Sequence, residues 1–150
     1  MSFSFVYQRR QQGVGLIEVL IAVLVLGVGV LGVMALQGTT LKNNQSSLAR
    51  TQAVILSYAM LDALRINREE ALAESYNMDK TCEAPSGNTL VKRDQNYWIT
   101  SLKSGLGDAE TTCGEINCDA AGVCTITVYW DDSRGTGGSD AQTIATSTRI

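Results

Sequence analysis

Glu18 is the first residue whose type and position suggest chemistry, because it is the only charged side chain in a long apolar segment. Residues 14–36 carry no other charge, and the 18 residues from Val19 to Leu36 have no polar side chain. An acid at the middle of a lipid-facing helix costs roughly 2.5 to 3.5 kcal/mol, so it usually marks a partner or a function. The alternative is an acid near the helix end whose carboxylate reaches the membrane interface.

A free amine is the partner that the sequence itself offers to Glu18. The first 13 residues, MSFSFVYQRRQQG, become polar and basic towards Gly13, and the apolar segment starts directly behind it. If the chain is cut after Gly13, the new α-amino group of Val14 lies about 6 Å of helix rise from Glu18. Opposite charges about 4 Å apart gain about 4 kcal/mol at an effective dielectric of 20. The amine belongs either to the same chain or to a neighbour, and a neighbour's amine would make Glu18 an assembly contact.

The four cysteines are the second candidate group, and all follow the apolar segment: Cys82, Cys113, Cys118 and Cys124. On the exported side of a membrane they would form two disulfides, with three possible connectivities. The spacing favours Cys118 with Cys124, because CDAAGVC would close a hairpin turn, and it leaves Cys82 with Cys113. Zinc is disfavoured, because the chain has no histidine and no CxxC pair.

Two further patterns have weak functional interpretations. Gly27, Gly29 and Gly32 spell GVGVLG, but a dinucleotide site needs this loop between a strand and a helix of a βαβ unit. We instead expect close helix packing or local weakness of the helix, since each glycine costs about 1 kcal/mol relative to alanine. The acids Asp131, Asp132 and Asp140 could bind calcium, but their spacing matches no known loop, so a solvated turn is favoured.

Composition excludes two functional classes. The formal net charge is −3 and no basic cluster follows the apolar segment, which argues against a nucleic-acid partner. Without histidine, no nucleophile and base pair can be proposed, so we predict neither an enzyme nor a cofactor.

The elements that position these residues begin with a membrane span. The 23 apolar residues would form roughly 34 Å of helix, enough for a hydrocarbon core of about 30 Å. No small-residue cleavage site follows Leu36, so we expect the segment to be retained. Arg9 and Arg10 would hold the N-terminal side in the cytoplasm, which places residues from about Thr39 onward outside it.

Beyond the span, apolar spacing predicts that one helix continues from Gly15 to about Ala73. Its two predicted apolar stripes are Leu41, Leu48, Ile55 and Ala59, and then Leu56, Met60 and Leu64. Residues 74–93 read as a loop. Asp94 is predicted to cap a short helix that ends at Gly105 or Gly107 and has one apolar face, formed by Trp98, Ile99, Leu102 and Leu106. A period-two pattern predicts a strand at about 122–131, and after the glycine-rich turn AQTIATSTRI can return as an antiparallel strand at about 141–150, hence an α+β fold.

The stretch QQGVGLIEVLIAVLVLGVGVLG resembles the type III (prepilin) signal of type IV pilins and pseudopilins. The resemblance implies that prepilin peptidase cleaves after Gly13 and N-methylates Val14, where the family usually has phenylalanine. Glu18, fifth after the cut, would then serve subunit docking. The glycines of GVGVLG would lie where pilin helices lose regularity within a filament.

A second stretch, AVILSYAMLDALRINR, is similar to minor pilins of the PilV type, with Asp62, Arg65, Asn67 and Arg68 as the matching polar positions. The resemblance implies a ladle-like fold, in which the second half of a long helix packs on a small antiparallel sheet. The implied domains are a removed leader (1–13), a membrane and filament-core helix (14–38) and a periplasmic head (39–150).

The implied role is structural: a minor pilin that sits in the inner membrane and then in a pilus at the cell surface, with a part in priming assembly, adhesion and twitching motility. Its implied partners are prepilin peptidase, other minor pilins, the major pilin, the inner-membrane assembly platform and a tip adhesin. One alternative is a minor pseudopilin of a type II secretion system. Another is an uncleaved single-pass sensor or binding protein, which would keep Met1 and would not depend on Glu18.

Overall fold

The computed structural model describes residues 13–107, 110–135 and 137–150. It is an α+β arrangement in which a long N-terminal helix is followed by a small antiparallel sheet, as the sequence predicts. The chain divides into two compact units, one up to Gly38 and the other from Thr39 to Ile150, and each is described by itself. The leader residues 1–12, including Arg9 and Arg10, lie outside the described residues.

The first unit is the N-terminal part of helix α1 (Leu16–Ile66), which is 51 residues long. Gly15 starts it, because its carbonyl accepts the N–H groups of Glu18 at 3.0 Å and Val19 at 3.3 Å. The helix is regular through all three glycines of GVGVLG. From Leu16 to Gly38 the described part of this unit is therefore a single apolar helix.

The prediction of one unbroken helix to about Ala73 is wrong, because two helices cover this stretch. Helix α1 ends at Ile66, and a short second helix, α2 (Arg68–Leu72), follows it. Between them Asn67 has φ −110° and ψ 51°, outside the helical region. Its side-chain amide donates to the Tyr76 hydroxyl at 3.1 Å, so the residue that interrupts the helix also ties it to the rest of the head.

The second unit contains one four-stranded antiparallel sheet in the order β1-β2-β3-β4. Its strands are β1 (Met78–Thr81), β2 (Cys113–Cys118), β3 (Val123–Trp130) and β4 (Gln142–Arg149). The two C-terminal strands confirm the predicted ones, and in β3 Cys124, Ile126, Val128 and Trp130 alternate inward. Strands β1 and β2 were not predicted, because MDKT and CGEINC are poor in β-formers and β1 pairs with a strand more than 30 residues away.

Helix α3 (Leu90–Leu106) begins earlier than predicted, so the expected loop at 74–93 also holds a strand and the first turn of a helix. Thr89, not Asp94, caps it: its hydroxyl accepts the Lys92 N–H at 3.2 Å. The helix ends at Gly107 (φ 116°), one of the two predicted positions. A glycine suits this position, because side chains rarely adopt such a φ.

The core of the second unit lies between α1, α3 and the sheet. Helix α1 contributes its stripe Ala53, Ser57, Met60, Leu61 and Leu64, and α3 contributes Trp98, Ile99 and Leu102. The predicted stripe of Leu41, Leu48, Ile55 and Ala59 does not enter this core, since Leu41, Leu48 and Ile55 are 55–66% exposed. The stripe predicted from heptad spacing is therefore on the exposed face of the helix. The buried stripe is the one that includes Met60 and Leu64.

Candidate functional site

The peptide bond between Gly13 and Val14 lies in exposed, non-helical chain. Gly13, Val14 and Gly15 precede the first turn of α1, and the Val14 side chain is 71% exposed. No atom lies within 4 Å of a Cβ built on Gly13. A peptidase needs a bond that is not locked in a helix and is open to approach, and this bond meets both conditions.

Glu18 lies in the first turn of α1, where its carboxylate is exposed. Unpaired backbone N–H groups give a helix N-terminus a partial positive charge, which stabilises a carboxylate by about 0.3 to 1 kcal/mol. Among the described residues the only ion pair recorded is Arg65 with Asp62, so Glu18 has no cationic partner there. Its carboxylate is thus accessible to an external amine, and its pairing with the Val14 α-amino group stays a prediction.

The surface behind Glu18 is apolar on every side. The large hydrophobic side chains from Val14 to Leu36 are 45–87% exposed. Helix α1 is long and apolar enough to cross a membrane, by length and composition. In its most apolar 18-residue stretch, no residue is buried by the described part of the chain. Nothing lies within 4 Å of a Cβ built on Gly27, Gly29 or Gly32, so these glycines have open space around them. Their role in packing or melting stays a prediction.

Two disulfides fasten the sheet of the second unit. Cys82, just after β1, bonds to Cys113 at the start of β2, and Cys118 bonds to Cys124 across the β2–β3 hairpin. This is the pairing that the spacing favoured. On the chain-entropy model, the bond with a separation of 31 residues contributes roughly 3 to 4 kcal/mol and the one with a separation of 6 about 2 kcal/mol. The bonds hold the two strands that local sequence preference supports least.

A buried hydrogen-bond network joins the end of α1 to α3. The Tyr76 hydroxyl is fully buried, donates to Asp94 at 2.6 Å and accepts from Asn67. Burial, and then the hydrogen bond to Asp94, raise the pKa of Tyr76 to about 12. Asp94, predicted to be a helix cap, is thus an anchor between elements. This role was not predicted, because no local pattern links residues 67, 76 and 94.

Helix α3 meets the sheet at Gly114, and the fit is tight. A Cβ at Gly114 would collide with the Trp98 ring and come within 2.8 Å of Ile99 Cδ1. The Trp98 indole N–H donates to the Leu56 carbonyl of α1 at 3.0 Å. Trp98 therefore connects α1, α3 and β2, and it needs a residue without a side chain beneath it.

The acidic loop after β3 differs from the solvated turn that was predicted. Asp131 and Asp140 are exposed, and a backbone hydrogen bond from Ser133 lowers the pKa of Asp131. Asp132, however, is only 6% exposed and accepts the Ser46 hydroxyl of α1. Within residues 13–107, 110–135 and 137–150, no group of three or more potential metal ligands is found. Asp132 fastens this loop to α1.

Comparison with known proteins identifies the N-terminal segment. A family model described as the prokaryotic N-terminal methylation motif matches residues 8–34. No curated protein and no solved structure matches the chain. The matched segment contains Gly13, Val14, Glu18 and the three glycines of GVGVLG, that is, every predicted site residue outside the head.

The chain therefore carries a type IV pilin-like prepilin signal. The motif indicates a prepilin signal of the type IV pilin or pseudopilin kind, and it points to a structural role. It implies processing by prepilin peptidase and assembly with other pilins. The long helix followed by a four-stranded antiparallel sheet is consistent with the type IV pilin fold, and the signal with its apolar helix fits a membrane-anchored protein.

Proposed function

We propose that this chain is a minor pilin of a type IV pilus, of the PilV type. In this proposal prepilin peptidase cuts after Gly13 and methylates Val14. The processed chain rests in the inner membrane with residues 39–150 in the periplasm, and it then enters the filament through its N-terminal helix. It works with other minor pilins to prime assembly near the pilus tip.

One observation carries the proposal: the methylation motif coincides with a helix whose apolar surface is not covered by any of the described residues of its unit. Such a surface needs lipid or other helices around it, because apolar side chains of this area are costly in water. A membrane and then a filament core would supply both environments in turn. The exposed bond after Gly13 supports the processing step that separates them.

Glu18 has a specific role in this proposal. In a processed subunit the Val14 amine and the Glu18 carboxylate carry opposite charges close to the start of the helix. A filament in which the amine of one subunit meets the Glu18 carboxylate of the next would compensate both charges in a low-dielectric setting. Removing one partner leaves the other buried and unpaired, which costs more than the pair gains.

The test is incorporation into pili after neutralising the carboxylate. In cells that make pili, Glu18→Gln should be cut by the peptidase as efficiently as the parent chain but should be absent from sheared pili. Glu69→Gln, which removes an exposed acid from α2, is the matched control and should appear in pili at the parental level. Cleavage is read from the mass of the membrane form, and incorporation from immunoblots of the sheared fraction.

Parental incorporation of Glu18→Gln would contradict the docking role and leave Glu18 as an interfacial acid. A parent chain that never enters pili, but whose deletion stops export by a type II secretion system, would contradict the pilus assignment. That second result would favour the pseudopilin alternative, whose N-terminal signal is the same.

A further inference from the structure

The two edges of the sheet differ in how well they are protected from pairing with another strand. Strand β1 is four residues long, and its pairing with β2 is irregular between Met78 and Thr81. It carries the charges of Asp79 and Lys80 and is followed by the Cys82 disulfide. Shortness, irregularity and charge are the usual means by which a sheet edge resists further pairing.

Strand β4 is neither short nor irregular, and it carries a charge only at its last residue. It is eight residues long and pairs with β3 in an unbroken register from Gln142 to Arg149. It contains no proline and no lysine, and Arg149 is its single charge. Within the described part of the chain no strand lies on its outer side. Such a long, regular edge is a template for another strand.

The register shows which backbone groups point outward. The Ile150 N–H donates to the Gly122 carbonyl at 2.9 Å, so the backbone of Ile150 points towards the β3 side of the strand. In an antiparallel pair, bonded and non-bonded residues alternate. The even-numbered residues of β4 therefore bond to β3, whereas the N–H and C=O groups of four residues point to the free edge: Thr143, Ala145, Ser147 and Arg149.

We propose that the outer edge of β4 pairs antiparallel with β4 of a second copy of this chain, about a two-fold axis at Thr146. In this register all four outward residues meet outward residues of the other copy, because Thr143 faces Arg149 and Ala145 faces Ser147. A shift by two residues in either direction leaves Thr143 or Arg149 without such a partner. Self-complementary pairing of one patch with itself is the geometry of a two-fold interface.

The side chains are compatible with this register. No like charges face each other, since Arg149 lies opposite the neutral Thr143. At the axis Thr146 faces Thr146, a cross-strand pair that is favourable in antiparallel sheets. Ile144, which is half-buried and packs against the core, lies opposite Thr148. The pairing would extend the inner surface of the sheet beside Ile144.

The decisive test is a disulfide at the axis. Thr146 would form a non-hydrogen-bonded pair, where the two Cα atoms lie about 4.5 Å apart, within reach of a disulfide. Full-length Thr146→Cys in oxidised membranes should therefore give a covalent dimer on non-reducing gels. Thr143→Cys is the control, because six residues at about 3.4 Å separate its two copies and no dimer should form. Peptide mapping should find the introduced thiols of the two copies joined to each other and both native disulfides retained.

A second change blocks the edge and keeps the backbone bonds between β3 and β4; both variants at Ser147 lose the same side-chain bond from the Thr125 hydroxyl. The Ser147 N–H points outward and makes no bond to β3, and proline is tolerated at such positions of an edge strand. Adding Ser147→Pro to Thr146→Cys should abolish the dimer, whereas adding Ser147→Ala should preserve it. Tryptophan fluorescence of both variants should match the parent, since Trp98 and Trp130 report on the folded head.

Several results would overturn the proposal. They are no dimer with Thr146→Cys, equal dimer with Thr143→Cys, or a dimer that persists with Ser147→Pro. A Thr146→Cys chain linked to a different protein would also overturn it and would identify the edge as a site for a foreign strand. The edge belongs to residues 142–149, so these outcomes are independent of cleavage at Gly13 and of the proposed function.

Discussion

Leu24 and Leu64 lie on the same helix, yet Leu24 is 67% exposed and Leu64 is fully buried. The second unit closes its own core around Leu64 with α3 and the sheet, and two disulfides fasten it. In the first unit, none of the residues that the structure describes covers Leu24. The second unit thus buries its own apolar core, whereas the first requires an apolar environment supplied from outside, as a prepilin signal implies.

The largest expected effect is the difference in stability between alanine substitutions at two glycines, one in each unit. Gly114→Ala should destabilise the head by about 3 kcal/mol or more, because the added methyl group collides with the Trp98 ring in a closed core. Gly27→Ala should not destabilise the head and should strengthen the helix by about 1 kcal/mol, because its site is open. Urea unfolding of the full chain in detergent, followed by tryptophan fluorescence, measures the first effect, and far-ultraviolet circular dichroism the second.

This pair of variants is itself the control, since each makes the same chemical change. Equal effects of Gly114→Ala and Gly27→Ala on head unfolding would contradict the distinction between a closed and an open unit.

Both disulfides lie in the second unit, so their removal should lower the stability of that unit and leave the apolar helix of the first unchanged. Replacing Cys82 and Cys113 together by serine should lower the free energy of unfolding of the head by roughly 3 to 4 kcal/mol. Replacing Cys118 and Cys124 should cost about 2 kcal/mol, since that loop is shorter. Urea midpoints give both values. The reverse order, or a loss of membrane association in either variant, would contradict the account.

The smallest effect concerns pH and the Tyr76 network. Because the pKa of Tyr76 is raised from 10.0 to about 12, the folded head favours the protonated hydroxyl. Its contribution to stability should be complete below about pH 10 and should be lost as the pH rises towards 12. Tyr76→Phe should cost about 1 to 2 kcal/mol at neutral pH and flatten this decline.

Tyr97→Phe is the control for that prediction, because Tyr97 is 76% exposed and should leave both the stability and its pH dependence unchanged. Part of the alkaline decline should remain in Tyr76→Phe, since the hydrogen bond to Glu115 also raises the pKa of Tyr129. An unaltered pH profile in Tyr76→Phe would exclude the network as its source.

Sequence patterns predicted the helices and strands whose residues form a recognisable pattern within one stretch of the chain. The apolar run defined the first half of α1, strict alternation defined β3, and the glycine-rich turn after β3 indicated the returning strand β4. Strands β1 and β2 have no such pattern. Strand β1 pairs with β2, more than 30 residues away, and is fastened to it by the Cys82–Cys113 bond, which no local window can register. Strand β2 forms a local hairpin with β3, but CGEINC holds too few β-formers to predict a strand.

The candidate site was more predictable than the head, because it lies within one short stretch of sequence. Gly13, Val14 and Glu18 are close in the chain, and their types alone suggested a cut, an amine and a carboxylate. Tyr76, Asp94 and Asn67 meet only after folding, so their joint role was not predictable. The buried Asp132 was mistaken for a solvated acid for the same reason, since its partner Ser46 is 86 residues away.

The most direct measurement of the central claim is the N-terminal mass of the chain made with and without an active prepilin peptidase. With the peptidase, the account predicts a chain that begins at Val14 and carries one added methyl group. Gly13→Val should stay uncut, and Gly15→Ala, which changes a neighbouring glycine, should be processed normally. A parent chain that keeps Met1 and its leader in the presence of active peptidase would contradict the account.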